Sequence, residues 1–565
     1  MPARNIFADA VGTEPPPSMM EVKQDHPVPR KGIMQQAPLQ TNKFYSNFFL
    51  AEQRAPTYTF PYSITWGGGT GVTKTWGMVC SHIEAHQRVF GEEKFFASSY
   101  YLNPVGIESL ALSARELGND TTVSMDSITA FSSRVHLSTS RVTLPIVSFS
   151  LAQGMPYLTS VYHGATPLIQ TGVFFRSVTK FSKDLKRNLS KFTIVLEDGA
   201  TWRLYAWATE GEGLDLDVMN NGMAVSRKPF SGVLQIAKDP MTPGSEQALD
   251  DGAGIYPVSL ELTGSTAGKK GWYQFHFQTS GHETGNLYMY ALPHHVESFD
   301  RETAEQLQRI QLQTPTKGVA NLVRGDTWTM VEPEMPVGLE FAPWHPMNGT
   351  VKEISDEAKV LIRAAATREL GSDVATEGEM ESMYFGGKAL AKFALLVYVA
   401  SDLLKDQAMA QSGLEKLKKV FGIFAANEQK HPLCYDSAWG GVVSSATYTT
   451  GDLLIDFGNT LYNDHHFHYG YHILAAAIIG HLDGDWVKEN RDYVNSLVRD
   501  VANPSQDDKY FPMWRNFDWY HGHSWAHGLF ASADGKNQES SSEDMMHAYA
   551  LKMWGHVSGD ESLEA

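Results

Sequence analysis

The residues best equipped for chemistry lie in one run, Asp456-Phe-Gly-Asn-Thr-Leu-Tyr-Asn-Asp-His-His-Phe-His-Tyr-Gly-Tyr-His472, where two carboxylates and four histidines stand among tyrosine and phenylalanine rings. The stretch from Trp514 to Gly528 repeats the mixture with Trp519, Trp525, Asp518, His521, His523 and His527, and it leads on to Glu539 and Glu543. Carboxylates beside flat rings are what glycosidic cleavage demands: one acid protonates the leaving oxygen, and the other activates water or attacks the sugar. Trp514, Trp519, Trp525 and Tyr462 offer faces for the C–H side of a sugar ring, while Asn463, Asp518, His468 and His523 can read its hydroxyls. Each residue also has an ordinary reading. Asp464 before an apolar run suits a helix cap, Ser540-x-x-Glu543 suits a capping box, and a single tryptophan is core material. The clustering in two loops favours a shared site. A rival chemistry uses His468 and His472, four apart, as zinc ligands with His521, His523 or His527 as a third, although Tyr469 stands where a metalloprotease helix carries its glutamate.

The elements that must hold these residues follow from periodicity. Ile473-Leu-Ala-Ala-Ala-Ile-Ile479 is apolar, so the polar run opens a buried helix with Asn463 or Asp464 at its N-cap. Glu539 and Glu543 are four apart, which on a helix puts both on one face, where like charges push one pKa upward. Helical spacing is read at 357–368, 388–404, 408–425, 464–481, 485–502 and 538–555, with long aromatic loops at 431–463 and 503–537. From Tyr45 to Leu292, short β-branched and aromatic runs alternate with turn residues, a pattern suited to a large antiparallel sandwich. Asp198-Gly199 marks a hairpin between two of those runs. The division expected is a flexible arm over 1–33, a β-sandwich over 34–297, a small connecting unit over 298–352 and a helical unit over 353–565.

Composition narrows the partners. The protein has 565 residues, 42% apolar and 11% aromatic, and a formal net charge of -18, which excludes nucleic acid and anionic membrane as main partners. Cys80 and Cys434 are its only cysteines, too few for a disulfide framework or a cysteine metal cluster. Residues 1–30 contain no signal-peptide core, and no later run reads as a membrane span. Asn119-Asp-Thr, Asn188-Leu-Ser and Asn348-Gly-Thr are glycosylation sequons. Location therefore stays open between the cell wall or medium and the cytoplasm.

Over most of its length the sequence resembles glycoside hydrolase family 81, the endo-β-1,3-glucanases. Pro38-Leu-Gln-Thr-Asn-Lys-Phe-Tyr-Ser-Asn-Phe-Phe49 is similar to the family's opening, Tyr462-Asn-Asp-His-His-Phe-His-Tyr-Gly-Tyr471 to its general-acid motif, and Asn537-Gln-Glu-Ser-Ser-Ser-Glu543 to its base motif. The resemblance implies an N-terminal β-sandwich, a small α/β linker domain and a C-terminal (α/α)6 barrel. It further implies a monomer that hydrolyses β-1,3-glucan with inversion, without metal or cofactor. Asp464 would be the general acid, with a raised pKa, and Glu539 the general base. Glu543 would support or share the base role, and His468 would line the cleft. A full barrel of this type needs about twelve helices and the periodicity yields about six before Ala565, so the barrel is expected to be incomplete and the sequence truncated at its C-terminal end. The alternatives from other classes are a non-catalytic β-glucan-binding protein and the His-ligated metal hydrolase.

Overall fold

The computed structural model describes residues 4–36, 38–94, 97–102, 106–140, 144–351, 353–373, 381–530, 535 and 537–565. The β-branched and aromatic runs of the first half pair into two antiparallel sheets. One has eight strands, from Phe175–Lys180 at one edge to Thr121–Asp126 at the other, and the second has seven, from Leu216–Asn220 to Thr57–Tyr58. The pleat sends alternate side chains to opposite faces, so Thr121, Val123 and Met125 are buried while their neighbours are more open. Ile64, Cys80, Leu110 and Leu112 of the second sheet share one apolar core with Val135, Leu137, Phe149 and Leu204 of the first. The hairpin read from Asp198-Gly199 is present, with Gly199 at φ 88 and Ile194 paired to Trp202.

The boundary expected at 297/298 falls inside further sheets. Ile255–Ala267 and Lys270–Gly281 form a three-stranded sheet with Thr327–Glu332, and Tyr288–Ala291 pairs with Val319–Arg324. Runs at 271–277 and 287–291, assigned to the sandwich from sequence, pair in these smaller sheets and in neither large one. A hairpin looks the same in sequence whichever sheet it joins, so periodicity carries no signal for this division.

The helical unit contains α1 (Asp356–Leu370), α2 (Met383–Tyr398), α3 (Gln407–Ala425), α4 (His465–Leu482), α5 (Gly484–Ala502) and α6 (Ser541–Ser558). Ser355, Ser382, Asp406, Asp483 and Ser540 cap all of these but α4, each accepting a backbone N–H of the first turn. Together with a following π-turn, α2 spans Met383–Leu403 and is long and apolar enough by composition to cross a membrane, contrary to the expectation that no run is. More than half of that span is buried in the fold, packed mainly on α4, as a core helix would be.

Residues 4–33, expected as a flexible arm, lie against the rest of the protein. Glu21–Lys23 adds a parallel strand beside Leu433–Asp436, the Phe7 ring meets Trp514 and Trp519, and the Glu14 carbonyl accepts from Arg499. Proline richness removes helix and ladder donors, but it does not prevent an extended segment from packing. The sequon asparagines Asn119, Asn188 and Asn348 are exposed.

Thr41-Asn42-Lys43 stitches the sheets to the loops that carry the acids. The Asn42 side-chain amide lies within hydrogen-bond reach of the carbonyls of Tyr462, Trp525 and His527, at 3.1 to 3.3 Å. Buried Lys43 donates to the carbonyls of Trp514 and Arg515. Asn42 sits at φ 55, a conformation asparagine tolerates better than alanine. Asn42→Ala is expected to cost about 2–3 kcal/mol by orphaning buried carbonyls and straining the backbone. A urea titration should show a lowered midpoint; an unchanged midpoint would show that other bonds hold these loops.

Candidate active site

The turn leading into α4 is built from strained backbone. Asp456, Phe457, Tyr462 and Asp464 all have positive φ, between 49 and 65, which ordinary side chains avoid. Each is tied down. The Asp456 carboxylate accepts from the Ser382 hydroxyl at 2.6 Å and the Met383 N–H at 2.8 Å, pinning the turn to the start of α2. Asn463 accepts the Gly528 N–H at 2.9 Å, and the Asp464 N–H donates to the Ala526 carbonyl. His465 spans Asp500 and the Asn459 carbonyl at 2.6 and 2.7 Å.

Asp464 occupies the N-cap position of α4, yet its side chain makes no capping bond. Its Oδ1 is buried without a hydrogen-bond partner. Burial raises the carboxyl pKa to about 7, and the negative charges of Glu539 and Glu543 add to the rise. The cap reading of this aspartate therefore fails on geometry: in the left-handed conformation its carboxyl satisfies no helix N–H.

Glu539 and Glu543 do not share a helix face. Glu539 precedes the N-cap Ser540 and is exposed, whereas Glu543 is the third residue of α6 and donates its N–H to the Ser540 hydroxyl. The Glu543 carboxylate accepts from the hydroxyls of Tyr471, at 2.8 Å, and Tyr384, at 3.2 Å. Lys388 lies 3.3 Å from the Tyr384 oxygen. His468 is buried one turn after Asp464, its ring against Tyr384 and Phe457, and burial lowers its pKa to about 4, so it is neutral at ordinary pH. Asp464, His468 and Tyr471 recur at i, i+4 and i+7, one face of α4.

That spacing was the available signal for Tyr471. Tyr384 and Lys388 had none, because α2 meets the site only through tertiary packing.

Other expected residues are taken up inside the fold. Tyr462 is fully buried, its hydroxyl donating to Asp436 at 2.6 Å beneath the Arg515 guanidinium. Asp518 accepts from Gln153, from the Trp525 indole and from the backbone of Tyr520 and His521. Burial works to raise its pKa, but His521, Lys43 and these donors hold it below the usual carboxylate range. Trp525 is 3% exposed, and Trp519 packs among Phe7, Tyr273, Trp514 and Phe517. His523 is buried between the Ser524 carbonyl and the Lys317 ammonium. Asn463 is a loop tie. Of the rings expected to face a sugar, Trp525 and Tyr462 are thus buried in the fold and Trp519 is half-buried against the arm and Tyr273.

Of the ligands the zinc alternative needs, His472 is engaged inside the fold. The His472 Nε2 bonds to the Met383 carbonyl at 2.9 Å, and its ring packs on Phe424. Among the described residues, no group of three or more His, Cys, Asp or Glu side chains is arranged to hold a metal ion.

Comparison with known proteins gives a consistent picture. The sequence model of the glycosyl hydrolase family 81 N-terminal domain matches residues 26–346, and that of the family's C-terminal domain matches 353–565. A glucan endo-1,3-beta-D-glucosidase of Arthroderma benhamiae is 44% identical over 100% of this chain and 62% of its own length. The primary septum glucan endo-1,3-beta-D-glucosidase of Schizosaccharomyces pombe is 36% identical over 99% of this chain and 54% of its own. For glucan endo-1,3-beta-D-glucosidase 2 of Saccharomyces cerevisiae the figures are 35%, 99% and 72%. A family 81 glycoside hydrolase from Clostridium thermocellum, solved as a glutamate-to-alanine mutant, shares the fold at a TM-score of 0.69 and 21% identity. It is matched over 99% of this chain and 72% of its own. The chain spans 62% and 54% of the lengths of the first two relatives.

Proposed function

Because the chain belongs to glycoside hydrolase family 81, with matches over 26–346 and 353–565, we propose that it hydrolyses internal β-1,3-glucosidic bonds of β-1,3-glucan. The observation that carries this reading is the half-buried carboxyl of Asp464, its Oδ1 buried without a partner, held protonated up to about pH 7 beside two glutamates. A carboxylic acid that keeps its proton near neutrality is what a leaving glycosidic oxygen requires. In the proposed reaction Asp464 gives that proton to the oxygen as its bond to C1 breaks. A water held by Glu539 attacks C1 from the opposite face and loses its proton to Glu539, so one water adds across the bond with inversion. Glu543, fixed by Tyr384 and Tyr471, supports the negative field that keeps Asp464 protonated.

We read the two large sheets as the family's sandwich, the following sheets and short helices as its linker domain, and the helical unit as part of its (α/α) barrel. The enzyme acts as a monomer without cofactor. Its place is the wall, as the names of the fungal relatives suggest, or the cell interior during wall remodelling.

The test is incubation with laminarin, following viscosity and reducing ends with and without chelator. A fast fall in viscosity at low reducing-end yield, unmoved by chelator, is expected of endo cleavage. Binding without cleavage would favour the glucan-binding alternative, and loss with chelator restored by zinc would favour the metal hydrolase.

A further inference from the structure

Beside the acids stand two phenylalanine rings that the fold leaves uncovered. Phe457 is 51% exposed and Phe385 is 42% exposed. Their centroids are 5.8 Å apart, and both touch Tyr384, at 5.1 and 5.2 Å. Phe457 also reaches His468 at 6.0 Å. Tyr384 is the link to the chemistry, since its hydroxyl meets Glu543 at 3.2 Å. The ring pair thus lies one side chain from a carboxylate of the site.

Nothing in stability explains Phe457. Its backbone is left-handed at φ 57, costly for an aromatic residue, and half of its ring gains nothing from burial. The conformation persists because the preceding Asp456 is bonded to Ser382 and Met383 at the start of α2, the helix that carries Phe385 and Tyr384. One carboxylate therefore fixes both rings and the tyrosine that holds Glu543. Strain maintained in this way at the rim of a site points to a task at that site.

We propose that Phe457, flanked by Phe385, is a stacking face for a glucosyl unit adjoining the bond that is cut, and that Asp456 is the positioning residue that presents it. The inference rests on the glucanase reading above. A pyranose ring offers an apolar C–H face, and a flat exposed ring fixed in orientation matches it without competing for the carboxylates. The exposed ledge takes the part that the buried Trp525 and Tyr462 do not.

The experiment is steady-state hydrolysis of a linear β-1,3-gluco-oligosaccharide by the wild type, Phe457→Ala and Phe457→Tyr, with thermal melting of each. Loss of the ring is expected to raise KM about tenfold with a smaller change in kcat, and Phe457→Tyr is expected to stay near wild type. Should Phe457→Ala melt far below the wild type, Phe385→Ala on α2 reads the same ledge: a raised KM supports the proposal and an unmoved one overturns it. An active wild type with an unmoved KM in folded Phe457→Ala overturns the stacking face alone. A wild type that leaves the oligosaccharide intact overturns the functional reading, and the stacking face with it.

Discussion

Asp464→Asn is expected to slow glucan hydrolysis by about a thousandfold, the usual scale for losing a positioned general acid, and to stabilise the protein above pH 7. The second effect follows from the raised pKa. In the unfolded protein an aspartate titrates near 3.8, whereas the folded carboxyl titrates near 7. Between those values the folded form keeps a proton that the unfolded form has released, so stability falls as pH rises through this window and levels off above it. The whole shift corresponds to about 4 kcal/mol, and screening at the partly open carboxyl reduces this to about 2–4 kcal/mol. The Asn variant lacks this decline. Urea titrations at pH 4, 6 and 8 should show its advantage growing with pH, while wild-type activity should fall as pH rises through about 7 and Asp464 ionises. A variant that matches the wild type in turnover, or in stability at every pH, would remove Asp464 from the role of acid.

Glu539→Ala is expected to lose hydrolysis by about a thousandfold and to regain turnover with added azide. Azide is already an anion, so it can attack C1 with no base to take its proton, and Asp464 still protonates the departing oxygen. Attack from the face that water used makes the product an α-glycosyl azide. Glu543→Ala should lose activity without such rescue, because Glu543 is engaged by the hydroxyls of Tyr471 and Tyr384 while Glu539 is exposed. Rescue in Glu543→Ala and none in Glu539→Ala would exchange the two roles.

The helices were legible in the sequence because their apolar spacing is long and their caps are explicit: expected 408–425 and 485–502 against observed Gln407–Ala425 and Gly484–Ala502. The turn at Asp198-Gly199 was legible for the same local reason. Sheet membership was not, since Lys270–Gly281 reads as a strand wherever it pairs. At the site, Asp464 and Glu543 were picked out by residue type, and the structure sets their charges near each other. Residue type does not say whether a tryptophan faces solvent: Trp519 packs half-buried against Phe7 of the arm and Tyr273, and Trp525 lies in the apolar core shared with the large sheets. The rings that do flank the acids, Tyr384 and Phe457, are joined by the bonds of Asp456 to Ser382 and Met383, a long-range pairing that no local pattern announces.

The most direct test of the central claim is the stereochemistry of the first product. Proton NMR of a β-1,3-gluco-oligosaccharide, followed from the first seconds of incubation with the protein, reads the anomer before mutarotation scrambles it. Single displacement across Asp464 and Glu539 predicts that α-anomer signal appears first and β-anomer only later. Initial β-anomer would mean retention through a covalent intermediate and would contradict the assignment of Glu539 as a base acting on water.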